Sequence, residues 1–173
     1  MSAGDVSGSG KRLPKVTTIG VYESDEETFF QALLDAGVDT FVDLRQRRGL
    51  RGARYAFANS RRLQARLAEL GIRYLHRKDL APTTSIRRRQ KEADKAAKIP
   101  RRQRQQLSPA FVEAFRQEIL SDFDPHSLLD DLPPDAEVIT LFCVEREPAA
   151  CHRSLVADVL ARDLGLEVEH LLP

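Results

Sequence analysis

The sequence predicts an α/β fold, a Rossmann-like three-layer sandwich around a mostly parallel sheet of about five strands. Short β-branched runs alternate along the chain with longer segments whose apolar residues recur at helical spacing. The strongest run, EVITLFC at 137–143, is almost continuously apolar, which is typical of a central strand buried on both faces. Alternation of strands and helices favours parallel strands joined by right-handed crossovers.

The first elements follow from local signals. The run at 16–20 is short, β-branched and closed by a glycine, which predicts the first strand. Ser24 and Glu27 have the spacing of a capping box, and they predict a helix that ends before Gly37. The apolar run at 40–44 predicts the second strand.

The rest of the chain continues the alternation. Helices are predicted where leucines or phenylalanines recur every three or four residues, and strands where apolar residues are continuous or alternate. The predicted elements are a helix at 60–71, a strand at 72–76, a helix from Ser108-Pro109, a connection at 125–134, the strand at 137–143, a helix at 149–164 and an edge strand at 166–172.

The 173 residues are enough for one domain, which we place at 16–173, after a disordered leader at 1–15 that is rich in small polar residues. The leader lacks the apolar centre of a signal peptide, and no apolar stretch approaches the roughly 20 residues that span a bilayer. Only two cysteines are present, so a disulfide framework is not expected. We therefore expect a cytoplasmic protein with no membrane partner.

Charge is segregated along the chain, although its net value is only +1. The stretch 45–62 holds seven arginines and no acid, 86–106 holds nine basic residues against two acids, and 113–137 holds eight acids against one arginine. Basic regions in loops favour a phosphate-containing small molecule or a nucleic acid as partner, and a solvated surface is the alternative. Because 86–106 has almost no apolar face, it predicts a basic helical insertion or lid.

Ligands of open parallel sheets bind beyond the carboxyl ends of the strands. The predicted strands bring polar residues of several kinds to that one edge, which we call the rim. The rim residues at the strand ends are Gly20, Tyr22, Asp43, Arg45, His76, Arg77, Cys143, Glu145 and His170.

Asp43 lies inside the apolar run FVDLR, where burying its carboxylate would cost several kcal/mol unless it is paired. Arg45 follows two residues later on the same face of the strand and is the expected partner. Asp43 is either an acid or base, or the group that orients Arg45, or one half of a structural ion pair that closes the strand end.

Cys151 is predicted in the first turn of a helix, where the free amides, His152 and Arg153 would stabilise a thiolate nucleophile. The same amides with Arg153 would equally bind a phosphate or carboxylate. Phosphatase and rhodanese loops also place a cysteine before an arginine, but with five intervening residues, whereas nine separate Cys143 from Arg153. That spacing argues against both classes.

A zinc site made from Cys143, Cys151, His152 and His170 would have suitable ligand types. These residues lack the close pairs, separated by two residues, that are usual in zinc sites. We therefore predict no metal ion and no cofactor.

Several motifs together resemble a known family: TIG in the first strand, VDLR in the second, AELGIRYLH, DLAPT, C-x-E-x5-C-H-R-S and a terminal EVEH. The chain resembles, over about 16–172, the family catalogued as domain of unknown function number 488. The resemblance implies an α/β fold with a conserved rim and no established reaction. It carries over Asp43, Arg45, Cys143, Glu145, Cys151, His152, Arg153 and His170. The chain departs from the family pattern at RQRRGLRGAR after the second strand and at Ala81-Pro82.

Two functions are compatible with these residues. The first is a protein that binds or acts on a phosphorylated, nucleotide-like ligand. Its predicted catalytic residues are Asp43, Glu145, Cys151 and His152, and its predicted ligand-binding residues are Gly20, Arg45, Arg51, Arg54, Tyr55, His76, Cys143, Arg153 and His170. The second is a nucleic-acid-binding or regulatory module without catalysis, in which 45–62 and 86–106 clamp phosphates. Aromatic residues beside these stretches are few, so base stacking has little support.

Overall fold

The computed structural model describes residues 13–173 and contains a five-stranded sheet in the order β3-β2-β4-β1-β5. All four neighbouring pairs are parallel. The predicted fold class is confirmed, as are the central place of β4 and the edge position of the last strand. The strands are β1 (Lys15–Ile19), β2 (Thr40–Asp43), β3 (Arg73–His76), β4 (Val138–Phe142) and β5 (Val168–Leu171).

Helices cover both faces of this sheet. They are α1 (Glu26–Asp35), α2 (Ser60–Glu69), α3 (Thr84–Ala97), α4 (Pro109–Glu118), α5 (Pro125–Asp131) and α6 (His152–Leu164). The first two helices supply one aromatic core with Phe41 and Phe142 of the sheet. The other four supply an aliphatic core with Val42 and Leu141, the neighbours of those phenylalanines on the opposite face. The described chain therefore forms three layers.

Two local predictions differ from the structure. The cap of α1 is Asp25, whose carboxylate accepts from the amide of Thr28, whereas Ser24 donates its hydroxyl to the carbonyl of Val21. The predicted connection at 125–134 contains α5, because Pro125 occupies the first helical turn and Asp124 caps it. In both cases an aspartate cap was present in the sequence and was overlooked.

The predicted leader lies mostly outside the described residues, but Lys15 at its end is the first residue of β1. No helix in the described part of the chain is both long enough and apolar enough to cross a bilayer. Cytoplasmic location remains a prediction from the sequence.

The basic segment forms α3 and then a return segment at 98–107, which we call the strap. The helix ends at Lys98, a left-handed residue with φ of 56°, and this turn sends the chain back toward the rim. At its far end, the amide of Leu107 donates to the carbonyl of Ala149 (2.8 Å), just before α6. The helical part of the prediction for 86–106 is confirmed, and a lid role remains a prediction.

Candidate functional site

The rim is formed where the loop after β4 crosses the end of β1. A Cβ added at Gly20 would lie 1.9 Å from the carbonyl oxygen of Glu145, so only glycine allows the two backbones to approach so closely. The amides of Val21 and Tyr22 both donate to the carbonyl of Val144 at 3.0 Å. Gly20 therefore positions Glu145 through its backbone.

Asp43 and Arg45 form the expected ion pair in a completely buried setting. Arg45 donates Nε–H to Oδ1 and Nη2–H to Oδ2 of Asp43, each at 2.9 Å, and Nη1–H to the carbonyl of Ala58. The hydroxyl of Tyr74 donates to Oδ2 at 2.7 Å, and burial, as the main cause, raises the pKa of Tyr74 to about 12. The predicted pairing is confirmed, and most polar atoms of the two side chains are hydrogen-bonded within the pair.

A cluster of sulfur and nitrogen atoms lies beside this pair. The Sγ atoms of Cys143 and Cys151 and a ring nitrogen of His152 are all within 4.8 Å of one another, and all three residues are buried. Nε2 of His152 lies 3.0 Å from the carbonyl of Leu44. A carbonyl can only accept, so Nε2 carries a hydrogen and Nδ1 is left facing Cys151 Sγ, at 3.9 Å.

The side chains of the cluster have pKa values that are shifted in different directions. Burial alone would raise the pKa of the Cys151 thiol, but the hydrogen bond from Cys143 and the positive charges of His152 and Arg153 hold it well below its ordinary value. The same hydrogen bond, together with burial, raises the pKa of Cys143. Burial would lower the pKa of His152, yet the neighbouring Cys151 raises it. The hydrogen bond between the sulfur atoms therefore makes Cys151 the more acidic of the two thiols.

Arg153 is fully buried behind this cluster. It donates through Nη1 to the carbonyl of Glu145 and through Nη2 to the carbonyl of Arg146 (3.0 Å), while its Nε has no hydrogen-bond partner among the described residues. The guanidinium thus anchors the loop after β4 to the start of α6, as well as contributing positive charge beside Cys151.

Glu145 links the cluster to the strap. Its Oε1 accepts from Nε of Arg101 (2.9 Å) and from Nη2 of Arg104 (3.0 Å), and its Oε2 lies 3.9 Å from Cys143 Sγ. Arg104 also bonds the carbonyl of Ala150 and the carboxylate of Asp94. The strap therefore lies against Glu145 and Ala150 at the rim.

At the mouth of the site, arginines cover a pair of buried tyrosines. The rings of Tyr22 and Tyr55 are 5.3 Å apart, and Arg102 of the strap lies 5.3 Å from both ring centroids. Arg54, from the loop after β2, lies 5.1 Å from the Tyr55 ring, and Arg101 lies 6.0 Å from the Tyr22 ring. Residues of both basic stretches thus meet at one place.

The remaining predicted residues have different surroundings. His76 donates Nε2–H to the carbonyl of Arg45 at 2.8 Å, which joins β3 to the rim. His170 lies on the edge strand with Nδ1 2.7 Å from the hydroxyl of Thr18, and burial, then Arg153, lowers its pKa. Arg51 is exposed on the loop after β2. His170 is not among the three residues that could share a metal ion, namely Cys143, Cys151 and His152.

Sequence reasoning placed Tyr22 at the rim without giving it a role, and it missed three residues of the site: Arg101, Arg102 and Arg104. Their basic stretch was recognised, but nothing in its local pattern indicates which of its nine cations return to the rim. The signal that could have identified them is Glu145, an acid at a strand end that pairs with arginines of the distant basic insertion. A groove of about 640 Å³ also lies between the end of α3 and the strap, lined by Gln90, Asp94 and Arg104 among others.

The fold and the site define an α/β protein whose rim combines two cysteines, a histidine and a buried glutamate beneath an arginine-rich strap. The family model described as "domain of unknown function DUF488" matches residues 25–160, most of the chain, and the protein belongs to this family. The resemblance in its motifs is thereby confirmed. No curated protein and no solved structure gives a significant match.

Proposed function

We propose that the protein binds a phosphate-containing, nucleotide-like ligand at the rim, beneath and beside the strap. The observation that carries the proposal is the meeting of Arg54 with Arg101 and Arg102 over Tyr22 and Tyr55. Arginine forks match phosphate oxygens, and a nucleotide presents several of them. The two tyrosine rings are buried, and their faces hold the arginines in place through cation–π contacts.

The strap has hydrogen-bonding capacity left for such a ligand. Arg101 uses only its Nε for Glu145, so its two Nη groups are available among the described residues. Its pKa stays above the ordinary value because the carboxylate of Glu145 outweighs the lowering effect of burial, so it remains charged. A phosphate group would therefore be held by the free Nη groups of Arg101, whereas Arg104 is already bonded to Glu145, Asp94 and Ala150.

The candidate catalytic groups of this proposal are Glu145, which bonds to the strap, and the neighbouring pair Cys151 and His152. Asp43 and Arg45 serve as positioning residues in it, because their polar atoms bond to one another, to Tyr74 and to Ala58. The Arg153 guanidinium, buried against two carbonyls, likewise supports the loop that carries Glu145.

Two charge-matched triple variants test the proposal. Arg54→Gln/Arg101→Gln/Arg102→Gln removes the mouth arginines, and Arg88→Gln/Arg89→Gln/Lys91→Gln removes three exposed cations of α3. Calorimetric titration with ATP, AMP and inorganic phosphate should show at least a tenfold loss of affinity, about 1.4 kcal/mol, in the first variant alone. Equal affinities in the two variants would overturn the site assignment.

Nucleic-acid binding is a second candidate, favoured by the exposed cations on the outer face of α3: Arg88, Arg89, Lys91 and Lys95. It predicts the opposite ranking of the two triple variants when anisotropy of a labelled oligonucleotide is measured. It also predicts that affinity falls by a factor of about 10³ or more between about 50 and 200 mM salt if six or more phosphates are contacted. A salt-insensitive or absent signal would remove this candidate.

A further inference from the structure

We propose that Cys143, Cys151 and His152 form a binding site for a thiophilic divalent metal ion, with zinc as the expected occupant. Three potential donor atoms from two separate segments converge, all within 4.8 Å of one another, and all three residues are buried. Sulfur and imidazole nitrogen are the donors that zinc prefers in proteins. The site does not depend on the proposed phosphate ligand.

The donor distances suit a tetrahedral ion. With Zn–S of about 2.3 Å and Zn–N of about 2.0–2.1 Å, neighbouring donors of a tetrahedron lie about 3.5–3.8 Å apart. Cys151 Sγ and His152 Nδ1 are 3.9 Å apart, which is within a few tenths of an ångström of that edge. Small side-chain rotations would complete the geometry.

The histidine is already oriented as a ligand. Its Nε2–H is bonded to the carbonyl of Leu44 at 3.0 Å, so Nδ1 is the nitrogen that faces the sulfur atoms. Metal-bound histidines commonly donate their other ring N–H to a backbone carbonyl or carboxylate, which fixes the tautomer and the ring plane. This hydrogen bond is a second observation, independent of the clustering.

The fourth position points to Glu145. Its Oε2 lies 3.9 Å from Cys143 Sγ, whereas its Oε1 is occupied by Arg101 and Arg104 of the strap. Two thiolates would balance the charge of the dication, and the arginines would balance the carboxylate. Glu145 would then either complete the tetrahedron or hold a water molecule on the metal, as in sites with three protein ligands.

With the metal bound, Cys151 and His152 are ligands rather than the free catalytic groups named for the proposed function, because a sulfur atom cannot be a metal ligand and an unbound thiolate at once. A disulfide between Cys143 and Cys151 is likewise incompatible with the metal. A metal site, a free nucleophile and a disulfide therefore predict different properties for the same purified protein.

The full-length protein, stripped with a chelator and kept reduced, would be titrated with Co²⁺ and then with Zn²⁺. We expect one Co²⁺ per chain, with the ligand-field and sulfur charge-transfer bands of a tetrahedral thiolate site, and displacement by one Zn²⁺. Cys143→Ser, Cys151→Ser and His152→Gln should each weaken Co²⁺ binding by at least about tenfold. The controls His170→Gln and His126→Gln should bind as the unaltered protein does.

X-ray absorption of the zinc-loaded unaltered protein keeps the proposal testable if a variant fails to fold. Two sulfur and at least one nitrogen neighbour are expected. Absence of stoichiometric cobalt bands, or a zinc shell without sulfur, would overturn the proposal. A reduced protein that binds no metal but loses two hydrogen masses on mild oxidation would assign the cluster to a disulfide instead.

Discussion

The two ends of the sheet use the same residue types in different surroundings. At the amino end, Asp39 accepts from the amides of Glu137 and Val138, and Arg73 reaches Asp39 and Asp135. The Arg73 and Asp135 side chains there are 40% and 77% exposed, whereas those of Asp43 and Arg45 at the carboxyl end are 0% and 3% exposed. Water screens the charges of the first network. Loss of one partner should therefore cost much stability only in the second, buried network.

The largest expected effect comes from breaking the buried pair. Arg45→Met leaves the carboxylate of Asp43 buried with Tyr74 and one amide as partners, so the free energy of unfolding should fall by about 3–5 kcal/mol. Urea denaturation measures this loss. Asp43→Leu/Arg45→Met should recover much of it, and a single variant that loses less than about 1 kcal/mol would show that the rim is as well solvated as the other end.

The next largest effect tests the crossing of the two backbones. Gly20→Ala places a methyl group against the carbonyl of Glu145 and should lower the free energy of unfolding by about 2–3 kcal/mol. The matched control is Gly71→Ala, at a position with φ of +72° and no atom within 4 Å of the added carbon, where backbone strain alone should cost about 1 kcal/mol. Equal losses would contradict the close approach at Gly20.

Tyr74, which bonds to Asp43 at the carboxyl end, should make the stability of the protein depend on pH. Because its folded pKa is raised to about 12, mainly by burial, the unfolded chain loses this proton first as pH rises. Stability that is fully present below pH of about 10 should therefore be lost between about 10 and 12, and Tyr74→Phe should remove this loss while costing about 1 kcal/mol at neutral pH. Ultraviolet titration of tyrosinate, compared between the two proteins, measures the pKa directly. A Tyr74 that titrates near 10 would contradict the burial of its hydroxyl group at the rim.

The smallest effect is expected at the amino end. Arg73→Ala removes ion pairs with Asp39 and Asp135, but these are exposed, so the free energy of unfolding should change by no more than about 1 kcal/mol. Thermal denaturation in low and high salt measures both the loss and its screening. A loss above about 2 kcal/mol would remove the contrast between the two ends.

The strands and most helices were predictable because each depends on a local pattern. The central strand at 138–142 and the pairing of Asp43 with Arg45 required only apolar continuity and a spacing of two residues. The helix α5 was not predicted because the segment 125–134 carries two turn signals, although Pro125 occupies the first helical turn.

The site was predictable only in part, because long-range contacts create it. Arg101 and Arg104 reach Glu145 across more than 40 positions of the chain, and their own sequence neighbourhood gives no sign of it. Spacing in the sequence argued against a metal site, since Cys143 and Cys151 are eight apart. The fold brings their sulfur atoms together because the loop after β4 turns directly into α6.

The composition of the strap makes its position measurable by a protease. Lys98, Arg101, Arg102 and Arg104 all precede peptide bonds that trypsin cuts, and the side chain of Arg101 is 47% exposed while that of Arg104 is 8% exposed. A docked strap should therefore be cut first on the amino-terminal side of Arg104, and a displaced strap at all four positions. The order in which these fragments appear reports whether the rim is covered or open, without any label or knowledge of the ligand.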